Sequence, residues 1–492
     1  HPHPRTRPPH GRRRHRPARR GPTLKVLPGV PYFAKRNTLI SPHQCAHGAL
    51  GRRPSSDYLH NWPMPSHPRG APAAQRIDSR TSSGRRTTRQ FLSSFPVTFV
   101  MLAQMLILYL ATGLLSSSPP LSETWPLTWR VFVPVLTGTF LVEGALRVWP
   151  HTSKAGHNDN LGGSDDDDAA GDLEPARRQR TPILVLLVLS GLLLATIFRV
   201  GGYEDQVLGQ RSYDYLSLVV YLLLTAQTVA IASSILDIQM GIRPRLAWSL
   251  LATIVAANLA SGIVLGYLAG AAAAIFTVGV SALILGVMSP RVALAIAMSV
   301  VLLIGPAFAY RNQSRVGYAG DRVESSFSAA NRMRMDVIMG TLLYAAPSEA
   351  LDFPTPIELT RYAVPKFLDP SRPPLEVVSQ FSLAVGSTET NSHTFTAPGN
   401  AYYLYGAPFI ALWYGLIAGS LHWLKRRRVT LFSIAVIVNI VAYLLWVGAS
   451  FPMTVPGFSQ SLVYSLVWIG LIWALERLRT SRSVWDRQTR RA

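Results

Sequence analysis

The sequence predicts an all-α polytopic membrane protein with about ten transmembrane helices and one large extracytoplasmic loop. Three observations lead to this fold class. Apolar runs of membrane-spanning length recur through most of the chain, basic clusters fall on alternate connections between them, and the hydropathy drops for nearly ninety residues late in the sequence. The 492 residues are 48% hydrophobic and 15% charged, with a net charge of +22, and these averages combine parts that differ sharply.

Ten apolar runs are long enough to be spans. A helix needs about 20 mostly apolar residues to cross the roughly 30 Å hydrocarbon core of a bilayer. The fifth and sixth spans are divided at Gly266–Gly270, because a single helix over the continuous apolar stretch from Leu246 to Met288 would not fit a bilayer. The predicted spans are residues 96–115, 129–149, 182–198, 215–236, 246–266, 269–288, 291–310, 401–423, 429–450 and 459–476.

Basic residues predict the orientation of these spans. Cytoplasmic connections of membrane proteins are enriched in Lys and Arg. Here every even-numbered connection carries a basic cluster, whereas the opposite connections carry few basic residues outside the long loop. The pattern therefore predicts a cell-membrane protein with both termini in the cytoplasm and an even number of spans. The clusters are Arg177, Arg178 and Arg180, then Arg243 and Arg245, then Arg291, then Lys425–Arg428, and finally the arginines after residue 476.

The first ninety residues differ from the rest of the chain. They contain nineteen Lys and Arg against two acids, and they show no apolar periodicity, so they cannot bury enough surface to offset their ordering entropy. We expect a disordered cytoplasmic segment. A basic run such as Gly11–Arg20 could bind nucleic acid or anionic lipid, but beside a membrane domain no nucleic-acid partner is expected. Cys45 is the single cysteine, which excludes a disulfide framework or a thiolate metal site.

The acidic run Asp165–Asp168 lies among Gly and Ser in the second connection, and we interpret it as a solvated linker rather than a metal site. No cofactor or metal is expected.

The predicted organisation has five parts. They are a basic N-terminal segment (1–94), seven spans (95–310), the extracytoplasmic loop (311–400), three spans (401–476) and a basic cytoplasmic tail (477–492).

Charged residues at membrane depth are functional candidates by default. Glu143 and Arg147 lie four residues apart in the second span, a spacing that lets them neutralise each other on one helix face, and we expect a structural pair. Outside the membrane, Arg211 lies among acidic residues between the third and fourth spans, with Arg199 at the rim. These groups face the same side as the long loop and either complete its site or mark the interface.

The long loop is expected to be folded and functional. Thr355-Pro356-Ile357-Glu358 has the form of a capping box with Pro at the first helical position, so a short helix should begin there and end before Pro365. The loop has balanced charge, but several of its arginines can still converge on one anion. Arg suits phosphate because its planar fork donates two parallel hydrogen bonds. His393 is the loop's one histidine and is a candidate general base.

The order of parts resembles the bacterial O-antigen or oligosaccharide repeat-unit polymerases (Wzy-type). Two motifs carry the resemblance: a Pro-basic-x-x-x-Pro-x-basic-Pro signature within 363–373 and an aromatic-Gly motif, Tyr402–Gly406, that opens the next span. About 100 residues are covered well, and the other spans match by architecture only. Where members of that family often carry an acid before the aromatic-Gly motif, this chain has Pro398-Gly399-Asn400.

The resemblance implies a GT-C-type fold and an enzyme that joins polyprenyl-diphosphate-linked oligosaccharides outside the membrane. It implies lipid-linked oligosaccharides, membrane lipid and a chain-length regulator protein as partners, and His393 or Glu389 as the base. Because a departing diphosphate develops negative charge and the loop has no paired Asp motif, fixed cations should stabilise it. The candidate diphosphate-binding residues are Arg332, Arg334, Arg361, Lys366 and Arg372, with Arg199, Arg211, Arg311, Arg315 and Tyr403 at the rim.

Three other functions remain open at this point. A ligase that moves finished polymer to a final acceptor would share the fold and the lipid donor. A monomer-adding polyprenyl-phosphate glycosyltransferase would use Glu204 and Asp205, but such enzymes usually carry their acidic pair in the first outer loop, which here offers only Glu123. A flippase of lipid-linked oligosaccharide typically shows internal repeats and paired Gly/Pro helix breaks, and the sequence indicates neither.

Overall fold

The computed structural model is helical throughout its described residues. These residues are 95–111, 121–148, 167–200, 214–265, 268–297, 299, 355–362, 364, 369, 371, 396–427, 429–448 and 451–491. We number the helices α1 (Pro96–Met105), α2 (Leu121–Val148), α3 (Asp167–Ile197), α4 (Asp214–Gln239), α5 (Pro244–Val264), α6 (Ala269–Ile284), α7 (Pro356–Arg361), α8 (Ala397–Arg426), α9 (Leu431–Asn439) and α10 (Phe451–Arg491).

The composition and length of these helices make this a membrane protein. Six helices are long and apolar enough to cross a bilayer, namely α2, α3, α4, α5, α8 and α10, and three shorter ones are also apolar. Large apolar side chains stand on their outer faces, such as Leu186, Leu193 and Leu412. Contiguous apolar surface on that scale is costly in water and is the expected surface for contact with lipid.

Helix boundaries match several sequence predictions. The division between the fifth and sixth spans is confirmed, because α5 ends at Val264 and α6 begins at Ala269. Residues 290–297 begin the predicted seventh span as a helix, while the rest of that span, like the N-terminal segment 1–94, lies outside the described residues. The linker prediction for Asp165–Asp168 differs from the structure in part: α3 begins at Asp167, where acidic residues favour the positive end of the helix dipole.

Most of the described core lies in two clusters of buried side chains. One joins α1, α2, α6, α7, α8, α9 and α10, the other joins α3, α4, α5, α6, α9 and α10, and a small third cluster lies between α3 and α4. The backbones of α2 and α8 come into direct contact at Gly138 and Gly415. A Cβ at Gly138 would lie 2.0 Å from the carbonyl oxygen of Ala411, and a Cβ at Gly415 would lie 3.2 Å from the carbonyl oxygen of Gly138. Only glycine permits this approach, so the α2–α8 contact depends on it.

Three helices depart from regular α geometry. Helices α1 and α9 continue as π-helical segments, Leu106–Ala111 and Ile440–Leu445. Helix α8 contains a break at Gly406, whose φ of 79° and ψ of 178° are not helical. Pro408 follows two residues after Gly406 in the same helix. Glycine is required at position 406 because other residues rarely adopt that φ and ψ.

The predicted pairing of Glu143 with Arg147 is wrong. The Glu143 carboxylate is buried and accepts backbone N–H groups at the start of α1, from Val97 at 2.9 Å and from Thr98 at 3.1 Å. The Thr98 hydroxyl also donates to it at 2.7 Å. No ion pair between described residues joins Glu143 to Arg147, whose side chain is exposed. A helix N-terminus supplies both unpaired donors and positive potential, so it satisfies a buried carboxylate better than a solvated guanidinium.

Candidate functional site

Helix α7 anchors the long loop to one end of the helix bundle. The predicted capping box is confirmed: the Thr355 amide donates to the Glu358 carboxylate at 2.6 Å, and the Glu358 amide donates to the Thr355 hydroxyl at 3.3 Å. Leu359 is buried in the core cluster, and the Gln460 amide of α10 donates to the Tyr362 carbonyl at 3.0 Å. We call this end of the bundle the loop end.

Arg361, the last residue of α7, is fixed by the Pro-basic signature that follows it. Its Nε donates to Asp369 Oδ2 at 2.8 Å and its Nη2 to Asp369 Oδ1 at 3.3 Å and to the Ser371 hydroxyl at 3.2 Å. Hydrogen bonding to Asp369 and its charge raise the pKa of Arg361 above its ordinary value. The side chain remains 53% exposed, so this arrangement fixes the guanidinium of the Arg361–Asp369 ion pair at the surface of the loop end.

The first half of α8 contributes to the same core cluster as α7. Thr396 caps α8 by accepting the Gly399 amide at 3.2 Å, and the helix runs to the break at Gly406. The Tyr405 hydroxyl is close enough to Glu358 to interact with its charge. Backbone N–H groups just after the break belong to the N-terminus of a second helical segment, and such groups carry partial positive charge.

Aromatic side chains surround the break. The Tyr405 ring lies 4.6 Å from Phe409 and 5.9 Å from Phe451, and the Trp413 ring lies 5.5 Å from Phe451. These rings belong to the core cluster that also contains Leu359. The aromatic-Gly motif thus has two structural roles, because its aromatic residues build the packing against α10 and its glycine ends the first half of α8.

Buried amide side chains fix α1 and the start of α8 against residues 445–451, which lead into α10. The Gln104 amide donates to the Leu445 carbonyl at 3.0 Å and accepts from the Val447 amide at 3.2 Å. Asn400 accepts the Phe451 amide at 3.3 Å. Asn400 is thus a buried amide that orients the start of α10.

Most predicted site residues lie outside the described residues. Three of them are described. Arg361 is placed as above, Tyr403 lies half-buried on α8 three residues before the break, and Arg199 is exposed just after α3 with a φ of 54°. The hydrogen-bond partners of Arg361 are Asp369 and Ser371, not Tyr403 or Arg199. Outside the described residues lie His393, Glu389, Arg332, Arg334, Lys366, Arg372, Arg211, Arg311 and Arg315.

A second charged cluster lies at the opposite end of the bundle, and the sequence did not indicate it. Asp237 of α4 accepts the Thr181 hydroxyl at 2.5 Å and lies 3.5 Å from the Arg180 guanidinium of α3. Arg180 also donates to the Ser233 hydroxyl at 2.9 Å and lies 3.8 Å from Glu476 of α10. The available signal was Asp237, a lone acid in an otherwise apolar run. The predicted fourth span ends at residue 236 and so left this acid out.

The described part of the loop end offers one fixed, half-exposed guanidinium, that of Arg361, which is paired with the Asp369 carboxylate. Among the described side chains, no three His, Cys, Asp or Glu residues converge as metal ligands would. No family model matches the chain, and neither a curated protein nor a solved structure is significantly similar to it. Function must therefore be argued from the sequence motifs and the geometry of this end.

Proposed function

We propose that this protein is a polymerase that joins polyprenyl-diphosphate-linked oligosaccharide repeat units on the outer side of the cell membrane. The proposal includes about ten spans in a GT-C-type arrangement, with both termini in the cytoplasm and the loop end outside. Nucleotide-sugar donors are cytoplasmic, so a site on the outer side requires a lipid-linked donor. The apolar outer faces of the helices would admit the prenyl chains.

The observation that carries the proposal is the position of Arg361. It is anchored through α7 to α10 and oriented by Asp369, with half of its side chain exposed. In the reaction, an acceptor hydroxyl oxygen bonds to the anomeric carbon of the donor while the bond from that carbon to the lipid diphosphate breaks. The hydroxyl proton passes to a base. A preorganised guanidinium stabilises the departing diphosphate without reorganising during the step.

The remaining roles rest on the resemblance. Arg332, Arg334, Lys366 and Arg372 would complete the diphosphate site, and His393 or Glu389 would accept the proton. Loop cations in this number suit a leaving group that bears several negative charges. The enzyme would need no metal, because the cations supply the charge.

One observation favours a second candidate, a flippase of lipid-linked oligosaccharide. The break at Gly406 gives α8 two helical segments, and discontinuous helices are common at the binding sites of transporters. The same break also serves a polymerase, since it places backbone N–H groups near the loop end. The two functions differ in product: a polymerase changes glycan length, whereas a flippase changes only its location.

Deletion of the gene in its natural host tests the proposal. We expect single repeat units on the cell surface, because transfer to the final acceptor continues without polymerisation. Complementation with Arg361→Ala should fail to restore long chains, whereas Arg291→Ala, an exposed arginine at the other end of the bundle, should restore them. Complete loss of surface glycan after deletion would instead indicate a flippase or a ligase and would refute the polymerase.

A further inference from the structure

The helix residues opposite α7 lie at one height in the bundle, as the contacts between neighbouring helices show. Asn439 of α9 bonds to Ser465 of α10, and Tyr443 bonds to Ser461, so the two antiparallel helices keep a fixed register. The same register places Leu431, the first residue of α9, level with Trp473 of α10. Arg426 of α8 donates to the Leu146 carbonyl at 3.0 Å, which adds the end of α2 to this level. We call it the basic end.

The described bases at the basic end are exposed. They come from the ends of α2 and α8, from within α10, from the turn between α4 and α5 and the start of α5, and from the segment after α6. They are Arg147, Arg243, Arg245, Arg291, Lys425, Arg426, Arg427 and Arg477. Arg180, which is buried, is the exception and belongs to the internal cluster described above.

Three acids at this end, Glu143, Asp237 and Glu476, make contacts within the bundle. The Glu143 carboxylate accepts the N-terminal amides of α1. Asp237 is bonded to Thr181, and Glu476 lies against Arg180. These three carboxylates are thus committed to contacts within the bundle, whereas the bases named above are exposed. A patch of exposed bases attracts anions over distances of about a Debye length.

Two Arg–Trp pairs lie on this surface. The Arg427 guanidinium lies 4.2 Å from the centre of the Trp423 ring, and Arg477 lies 4.3 Å from the centre of the Trp473 ring. Both rings are more than half exposed, at 55% and 56%. Trp prefers the interfacial layer of a bilayer, and a guanidinium stacked on an exposed ring is held at that depth.

We infer that the basic end is a docking surface for anionic phospholipids, with Arg427 and Arg477 as its principal headgroup contacts. The ligand must combine a phosphate with acyl chains. On the same face of α10, seven residues before Trp473, exposed Leu466 continues the outer face toward the bilayer centre, so one lipid molecule contacts apolar side chains and a guanidinium together. A soluble polyanion would match only the charge, which is why the geometry favours lipid.

Lipid binding by the purified full-length chain in neutral detergent tests the inference. The probes are phosphatidylglycerol and phosphatidylcholine carrying the same fluorescent acyl chain. We expect the wild type to prefer phosphatidylglycerol and to lose the preference at high salt. Each neutralised arginine should weaken phosphatidylglycerol binding roughly fivefold, so the double variant Arg427→Gln/Arg477→Gln should lose roughly twenty-fivefold and bind phosphatidylcholine as before.

Arg130→Gln is the matched control, because Arg130 is an exposed arginine near the other end of α2. This variant should bind phosphatidylglycerol like the wild type. Unchanged thermal unfolding of all variants shows that they are folded, and the salt dependence of the wild type gives a readout that needs no variant. Equal affinity for the two lipids, wild-type affinity in the double variant, or displacement of bound phosphatidylglycerol by duplex DNA would overturn the inference.

Discussion

The contact between α2 and α8 gives a sharp quantitative prediction through Gly138→Ala. The new Cβ would lie 2.0 Å from the carbonyl oxygen of Ala411 and 2.7 Å from its carbonyl carbon. Relief of this overlap needs a movement of more than 1 Å between two helix backbones, since ordinary contacts begin at 3.4 Å. Overpacking typically costs about 1–3 kcal/mol, and we expect the upper value because the obstacle is backbone.

Alanine also favours helix over glycine by about 1 kcal/mol, so the net destabilisation expected for Gly138→Ala is about 2 kcal/mol. Gly144→Ala in the same helix is the matched control, because its Cβ would meet only a Phe95 ring carbon at 4.0 Å, and it should be neutral or slightly stabilising. Unfolding of the purified protein in mixed micelles, titrated with sodium dodecyl sulfate, measures both. Equal unfolding free energies for the two variants would refute the close approach of α2 and α8.

Three further predictions concern the break, the buried cluster and the cap. Gly406→Ala places a side chain at φ 79° and ψ 178°, which costs about 1–3 kcal/mol, so the unfolding temperature and polymer length should fall; Gly470→Ala, with open space at its Cβ, should change neither. Arg180→Ala leaves the buried Asp237 carboxylate without its guanidinium and should cost about 3–5 kcal/mol in the same unfolding assay, whereas a loss under about 1 kcal/mol would contradict the pair. Hydrogen bonds from Thr355 hold the pKa of the Glu358 carboxyl below its ordinary 4.5, so the cap stabilises α7 above pH 4.5 and is lost as the pH falls through the lowered pKa. Carbon-13 NMR of the carboxyl measures the midpoint, and a value at or above 4.5 would exclude the capping box.

Local sequence signals predicted local structure well. The α5–α6 boundary follows from a length argument, since an unbroken helix from Leu246 to Met288 exceeds the bilayer. The start of α7 follows from a capping box whose partners lie three residues apart. In both cases the determining interactions lie within a few residues of one another or depend on composition alone.

Contacts between distant segments were not predictable in the same way. The partner of Glu143 is the N-terminus of α1, which lies more than forty residues away in sequence, and the four-residue spacing to Arg147 favoured a local pair instead. The Arg180–Asp237 contact joins two helices and depends on their packing. At the loop end, the roles of Gln460 and Asn400 depend on how α10 approaches α7 and α8. A single sequence does not specify these approaches.

The measurement that tests the central claim most directly is extension of a lipid-linked oligosaccharide by the purified protein. The protein is reconstituted in vesicles with a polyprenyl-diphosphate-linked repeat unit and with a chelator of divalent ions. The account predicts lipid-linked products that contain two or more units, formed at the same rate with and without chelator. A substrate that stays a single unit, or extension that stops when divalent ions are removed, would contradict it.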